Sequence, residues 1–236
     1  LAGSQVIRSV EELLATEVAG GPWVAKAPHG TAGRNRVLGR GRQLEDNQRG
    51  ALSGLLKDHG RLVLQPWVRR TLDFGMWLEP AEGGRWQRGI TEQVIDARGR
   101  FQGVIVSEEG PDLDAAAFLE TMGTLVRDTL DQTGYEGPFG IDGFEYEGVT
   151  GSRLLMPLLE INARRTFGMV AHALVERVAK PYWGDDVGRV ALRFGRAGEP
   201  ETHETRLPLL GAPDDALMLA WLERMGPAPE REPDEA

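Results

Sequence analysis

Three segments of period-two character follow one another closely: Leu72 to Glu79, Trp86 to Ile95 and Phe101 to Val106. The separators, Glu82-Gly83-Gly84 and Ala97-Arg98-Gly99, carry turn residues and are too short for the crossover that parallel neighbours require. The spacing therefore predicts an antiparallel meander. Two more strand segments, Pro138 to Tyr146 and Arg153 to Ile161, flank a turn over Glu147 to Gly151 and predict a hairpin. Between these groups, Asp114 to Thr133 places Phe118, Leu119, Met122, Leu125, Val126 and Leu130 at helical spacing. Phe167 to Ala179 reads as a further helix with Val170, Leu174 and Val178 toward the core. Helices set beside antiparallel strands define an α+β chain.

A smaller unit precedes the meander. Ser9-Val10-Glu11-Glu12 is a capping-box pattern opening a short helix with Val10, Leu13 and Leu14 apolar. A strand at Trp23 to Ala27 leads into the turn-rich, basic loop Pro28-His29-Gly30-Thr31-Ala32-Gly33-Arg34-Asn35-Arg36. A helix from Leu44 to His59, buried through Leu52, Leu55 and Leu56, stops at Gly60 before the strand Arg61 to Val68. The expected organisation is one lobe over 1–68, a second over 69–180, a C-terminal extension over 181–225 and a disordered, proline- and acid-rich tail over 226–236. In the extension, Val190 to Phe194 and Thr205 to Leu210 read as a hairpin and Asp214 to Met225 as a helix.

With 236 residues, 41% hydrophobic and 27% charged, the chain can build sizeable cores. A formal net charge of -9 argues against nonspecific nucleic-acid binding. Without cysteine there is no disulfide, thiolate nucleophile or Cys-ligated zinc, and the four histidines lack metal-ligand spacing. No apolar stretch reaches membrane-spanning length and no signal-peptide pattern is present, so a cytoplasmic location with no membrane partner is expected.

The chemistry concentrates in Leu158-Leu159-Glu160-Ile161-Asn162-Ala163-Arg164. Alternation puts Glu160 and Asn162 on one face, where a carboxylate and a carboxamide suit a hard cation such as Mg²⁺, and Arg164 offers a fork for phosphate oxygens. A strand ending in a polar helix start is the plain alternative. Asp142 interrupts the apolar strand Phe139-Gly140-Ile141-Asp142-Gly143-Phe144, and the hairpin would let it share a cation with Glu160; a solvent-facing strand position would also accommodate it. Lys26, on the face opposite Trp23 and Ala25, either reaches a phosphate or extends to solvent. Backbone N–H groups from Gly30 to Gly33 could close over phosphates, although the loop is not a Walker A sequence. Gln65, the Trp67 and Val68 backbone and Asp73 could serve a purine and a ribose, or belong to an ordinary strand with a core tryptophan.

Taken in order, Lys26, the glycine-rich loop, Gln65-Pro66-Trp67, Asp73, Asp142 and Glu160-Ile161-Asn162-Ala163-Arg164 resemble the ATP-grasp superfamily of carboxylate-amine and carboxylate-thiol ligases, over roughly Val6 to Ala179. The resemblance implies two α+β lobes with antiparallel sheets clasping ATP, with Lys26, Gly30 and Gly33 on phosphates and Gln65, Trp67 and Val68 on adenine. Asp73 would meet ribose and Leu159 the base. Asp142, Glu160 and Asn162 would hold Mg²⁺, and Arg164, with Lys26, would act on the transferred phosphate. The implied activity makes an acyl phosphate from a small-molecule carboxylate for attack by an amine or other nucleophile. A kinase of a non-carboxylate acceptor and a non-catalytic nucleotide-binding scaffold are the alternatives. Two departures stand out: the usual preceding pre-grasp domain is not represented, and Gly140 stands where D-alanine ligases have a carboxylate-binding arginine. Arg88, Arg164 and Arg165 are the candidates to replace it. Oligomeric state and acceptor identity are not legible.

Overall fold

The computed structural model describes residues 1–28, 35–96, 99–113, 116–148, 150–195, 206–210 and 219–226. They divide into two compact units, Leu1–Arg70 and Thr71–Ala236. In the first, β1 (Gln5–Ile7) leads to α1 (Val10–Ala15), β2 (Pro22–Lys26), β3 (Arg36–Arg40), α2 (Asp46–His59) and β4 (Leu62–Pro66). The strands form one antiparallel sheet in the order β1-β4-β2-β3.

Local sequence accounts for the helix boundaries here. Ser9 Oγ accepts the Glu12 N–H at 3.0 Å and the Glu12 carboxylate accepts the Arg8 N–H at 2.6 Å, capping two otherwise unpaired donors at α1. Gly60 ends α2 in the left-handed region at φ 70°, where a Cβ would be strained. The buried faces of both helices meet the sheet through Leu13 and Leu52, which join Ile7, Trp23, Leu62 and Leu64 in one core. Strand β2 is buried on both faces at Trp23, Val24 and Ala25. Gly39 of β3 leaves space for the Trp23 indole, whose Nε1 donates to the Gly41 carbonyl at 3.0 Å.

The second unit contains β5 (Arg70–Pro80), β6 (Trp86–Ile95) and β7 (Phe101–Ser107), the expected meander, followed by α3 (Ala116–Asp131) and the hairpin β8 (Phe139–Glu147) and β9 (Arg153–Asn162). After β9 come α4 (Phe167–Leu174), a π-helical turn over Val175–Ala179 and α5 (Lys180–Trp183). Strands β10 (Arg189–Gly195), β11 (Arg206–Leu210) and β12 (Leu219–Met225) complete one eight-stranded sheet in the order β11-β12-β10-β7-β6-β5-β8-β9.

Alternation assigns the two faces of this sheet. Leu72, Phe74, Met76 and Leu78 of β5 pack with Phe139 and Ile141 of β8 against Leu119 and Val126 of α3. Val104, Val106, Val190, Leu192 and Leu222 pack instead with Ala171, Val175 and Ala179. The odd-numbered residues of β5 therefore face the side on which the chain continues from β9 into α4.

Several expectations are corrected. Leu219–Met225 is a strand, paired with both β10 and β11, so the helix expected over Asp214 to Met225 is absent there; 214–218 lie outside the described residues. For the same reason β10 and β11 are not hairpin partners, since β12 lies between them, and β10 also pairs with β7. The three strands described within 181–225, β10, β11 and β12, thus belong to the main sheet. Val170, 42% exposed, is not a core residue, and Leu125, 58% exposed, is an outward member of the α3 apolar series. Around α4 the buried stripe is Ala171, Val175 and Ala179, with Leu174 and Val178 flanking it, and that phase turns Val170 outward. The side chain of Phe118 and residues 227–236 lie outside the description.

Candidate functional site

The second unit places Asp73, Gln93, Asp142, Glu160 and Asn162 on one sheet face. Cross-strand register places Asp142 opposite Glu160 and Gly140 opposite Asn162, so the four share one end of the hairpin. Directly opposed residues have Cβ atoms about 4.5–5.5 Å apart. Beyond this point the register slips: Phe144 opposes Met156, so Gly143 alone answers Pro157, Leu158 and Leu159. Pro157 has no N–H for a regular ladder, and the Gly143 position has no room for a side chain, because a Cβ there would lie 2.5 Å from Phe74 Cζ and 2.7 Å from the Met156 carbonyl oxygen. The bulge separates the Asp142–Glu160 end of the hairpin from its turn end.

At the polar end the side chains form a continuous chain of hydrogen bonds. Gln93 Nε2 donates to Asp142 Oδ1 at 2.6 Å, and Asn162 Nδ2 donates to Asp142 Oδ2 at 2.9 Å. Arg164 Nη2 in turn donates to Asn162 Oδ1 at 2.9 Å. Asn162 is buried, Asp142 is half-buried and Glu160 is exposed. Asp73 of β5 stands opposite Gln93 of β6 in register and extends the row. Thus β6, β5, β8 and β9, adjacent in that order, each place a polar side chain on this face.

The electrostatics of the row are unbalanced. Burial holds the Asp142 carboxyl above the usual aspartate range; hydrogen bonds from Gln93 and Asn162 and the Arg164 charge oppose that rise, while Asp73 adds to it. A half-buried carboxylate near a second acid is relieved most by a cation. Two opposed carboxylates and a carboxamide form an all-oxygen donor set that fits Mg²⁺, which completes its shell with phosphate and water oxygens. Among the described residues no group of three or more His, Cys, Asp or Glu side chains stands at metal-binding spacing, so such an ion would draw on those further oxygens.

The arginines separate clearly. Arg88 opposes Leu78 and bonds Glu120 of α3 at 2.8 Å, which puts it on the opposite face from Asp142. It cannot replace the missing carboxylate-binding arginine in this row. Arg165 donates through Nε and Nη2 to Glu79 Oε1 at 3.0 and 2.7 Å. Arg164 alone among these three is hydrogen-bonded into the Asp142–Asn162 chain.

Other candidates lie in the first unit. Lys26, partly buried, ends β2 opposite Arg36 on one side and Val63 on the other. Gln65 is buried, and its Nε2 donates to Ser4 Oγ at 3.2 Å. The Trp67 N–H donates to the Pro22 carbonyl at 2.9 Å, which commits that donor within the unit, and its ring lies 5.8 Å from each of the Arg36 and Arg70 guanidinium carbons. Val68 follows in the connecting segment, partly exposed. Leu159, in the second unit, falls in the bulge and is also partly exposed. Gly30 and Gly33 lie outside the described residues.

Two residues of the row were missed by sequence reasoning, Gln93 and the glycine that lets it reach. Gln93 looks ordinary within a strand of mixed polarity, and its partner is 49 positions away. The available signal was Gly75, a glycine inside a strand, which often marks close approach by another group. A Cβ at Gly75 would lie 2.9 Å from Gln93 Nε2 and 3.4 Å from Asp142 Oδ1.

No family model and no curated protein sequence matches the chain. Solved structures do. The biotin carboxylase domain of the Hydrogenobacter thermophilus 2-oxoglutarate carboxylase, in complex with MgADP, ADP and bicarbonate, matches at TM-score 0.57 and 17% identity, over 94% of this chain and 57% of that one. The N5-carboxyaminoimidazole ribonucleotide synthetase of Thermus thermophilus matches at TM-score 0.56 and 15% identity, over 94% and 62%. The carboxyaminoimidazole ribonucleotide synthase of Aspergillus clavatus, complexed with ATP, gives TM-score 0.56 and 15% identity over 95% and 64%. The chain therefore spans about three-fifths of each of these proteins. It has the ATP-grasp fold, α+β with two antiparallel sheets. Among the described residues no helix is long and apolar enough to cross a membrane.

Proposed function

We propose that this chain carries the nucleotide and metal machinery of an ATP- and Mg²⁺-dependent ligase that activates a small-molecule carboxylate as an acyl phosphate. The observation that carries the reading is the cross-strand pair Asp142 and Glu160, with Asn162 bonded to Asp142 and Arg164 bonded to Asn162, in an ATP-grasp fold. In this reading Lys26, with the backbone of Gly30 and Gly33, binds phosphates. Gln65, Trp67 and Val68 receive the adenine, Asp73 the ribose hydroxyls, and Leu159 lies against the base. Because the Trp67 N–H is held by Pro22, the Trp67 carbonyl is the atom it offers to a base edge.

Asp142, Glu160 and Asn162 would hold Mg²⁺ beside the bound phosphates. When bound, the cation neutralises phosphate charge and polarises the γ-phosphate toward attack. Arg164, two residues beyond Asn162, has the fork geometry to contact the equatorial oxygens of the transferred group. A carboxylate oxygen of the acceptor attacks the γ-phosphorus, the bond to the bridging β–γ oxygen breaks, and ADP leaves. The nucleophile then attacks the acyl carbon, inorganic phosphate departs, and an attacking amine gives its proton to solvent. No protein nucleophile enters this sequence, so the contribution of the side chains is positioning and charge.

Incubation of the purified protein with ATP, Mg²⁺ and a panel of carboxylic acids, with hydroxylamine as nucleophile, tests the reading. Mg²⁺-dependent ADP release with a matching hydroxamate is expected. ADP release accompanied by a stable phosphorylated acceptor would assign a kinase. Nucleotide binding without turnover across the panel would favour a scaffold.

A further inference from the structure

Asp142 is held from two sides by amides. Asn162 comes from the adjacent strand β9, whereas Gln93 belongs to β6 and must cross β5 to reach Asp142 on β8. It crosses at Gly75, where the absent side chain leaves the route open. Thr91, opposite Gly75 in register, is buried and donates to the Gly75 carbonyl at 3.2 Å, which fixes the strand beneath that route. Each oxygen of Asp142 accepts one amide hydrogen bond, and each keeps a second lone-pair direction for a cation. The two amides restrict rotation of the carboxylate about its χ2 axis and leave its free lone pairs pointing in fixed directions.

We propose that Gln93 is a positioning residue for the cation site, acting through Asp142, and that Gly75 is glycine so that this reach is possible. The proposal rests on the reading of Asp142 as a metal ligand. Residues that orient a metal ligand from behind typically contribute about 10- to 100-fold in metal affinity. Gln93 has no direct contact with the cation in this assignment, and its effect appears only through the set of the Asp142 carboxylate.

The test is titration of Mn²⁺, an oxygen-ligand substitute for Mg²⁺, into the full chain, with free Mn²⁺ followed by electron paramagnetic resonance. Wild type, Gln93→Leu, Gly75→Ala and Asp142→Asn are compared, each first checked for cooperative unfolding. Gln93→Leu is expected to weaken Mn²⁺ binding by about 10-fold or more. Gly75→Ala, which retains every donor, presses hardest on the Gln93 amide and only touches Asp142 Oδ1, and should weaken it by a smaller factor. Asp142→Asn should weaken it most. Loss on Asp142→Asn with unchanged affinity in both Gln93→Leu and Gly75→Ala would overturn the role of Gln93 and leave the metal site standing. Unchanged affinity in Asp142→Asn would overturn the metal site itself. If Gln93→Leu does not fold, Gly75→Ala decides the matter alone, and wild-type Mn²⁺ affinity in that variant counts against the proposal.

Discussion

The two sheets use their central strands in opposite ways. In the four-stranded sheet, β2 is apolar on both faces at Trp23, Val24 and Ala25, and its candidate lysine comes only at the end of the strand. In the eight-stranded sheet, β5 and β8 bury Phe74, Met76, Phe139 and Ile141 on one face and carry Asp73 and Asp142 on the other. The first sheet is a core whose candidate residues Lys26 and Gln65 stand at or near strand ends. The second carries its polar row across four strands, where register, rather than loop conformation, fixes the geometry.

This contrast is open to direct attack by substitution. The largest effect is expected from Trp23→Ala, which empties a fully buried indole site and should destabilise the first unit by about 3–5 kcal/mol. Calorimetric unfolding measures it, and nucleotide-free Mn²⁺ affinity, a property of the other sheet, should be unchanged. Gly143→Ala is next, at about 1–3 kcal/mol, because its Cβ would press on Phe74 and the Met156 carbonyl. Here stability and Mn²⁺ affinity should fall together, since the strain lies one residue from Asp142. If the two substitutions behave alike toward the cation, the distinction between the sheets fails.

A smaller effect concerns pH. The Asp142 carboxyl is raised, so between the ordinary aspartate value and its folded value the native protein holds a proton that the unfolded chain has lost. Stability from this group is therefore greatest at low pH and declines as pH rises through that window. Removing the charge with Asp142→Asn should raise the metal-free melting temperature near neutral pH by about 2–4 °C for each kcal/mol relieved. The advantage should shrink toward acid pH, as the wild-type carboxyl itself becomes protonated; an advantage independent of pH would contradict burial as the cause. Smallest of all, Arg165→Ala removes an exposed ion pair with Glu79 and should cost about 1 kcal/mol or less, as urea unfolding would record.

How much of this was legible depended on whether the signal was local. The meander was readable because alternation and glycine-rich turns are properties of neighbouring residues. That the strand carrying Asp142 pairs with the one carrying Glu160 was readable from two apolar strands across one turn, whereas the register and its bulge at Gly143 were not. Strand β12 was misread because Leu219-Ala220-Trp221-Leu222-Glu223-Arg224-Met225 is rich in helix formers. Pairing to β10 and β11 overrides that preference, and neither partner is visible in a short window. Gln93 was illegible for a related reason: its role exists only once β6, β5 and β8 lie side by side. The exclusion of Arg88 likewise follows from register, which alone separates it from Asp142 by the thickness of the sheet.

Everything proposed for the second unit depends on whether the Asp142, Glu160 and Asn162 face binds the cation of Mg·ATP. Calorimetric titration of a non-hydrolysable ATP analogue, with and without Mg²⁺, into wild type and into the Glu160→Ala, Asn162→Ala double variant decides it. Mg²⁺ is expected to tighten nucleotide binding in wild type, and the double variant to lose this gain while retaining its metal-free affinity. Equal Mg²⁺ enhancement in both proteins would remove the cation from this face.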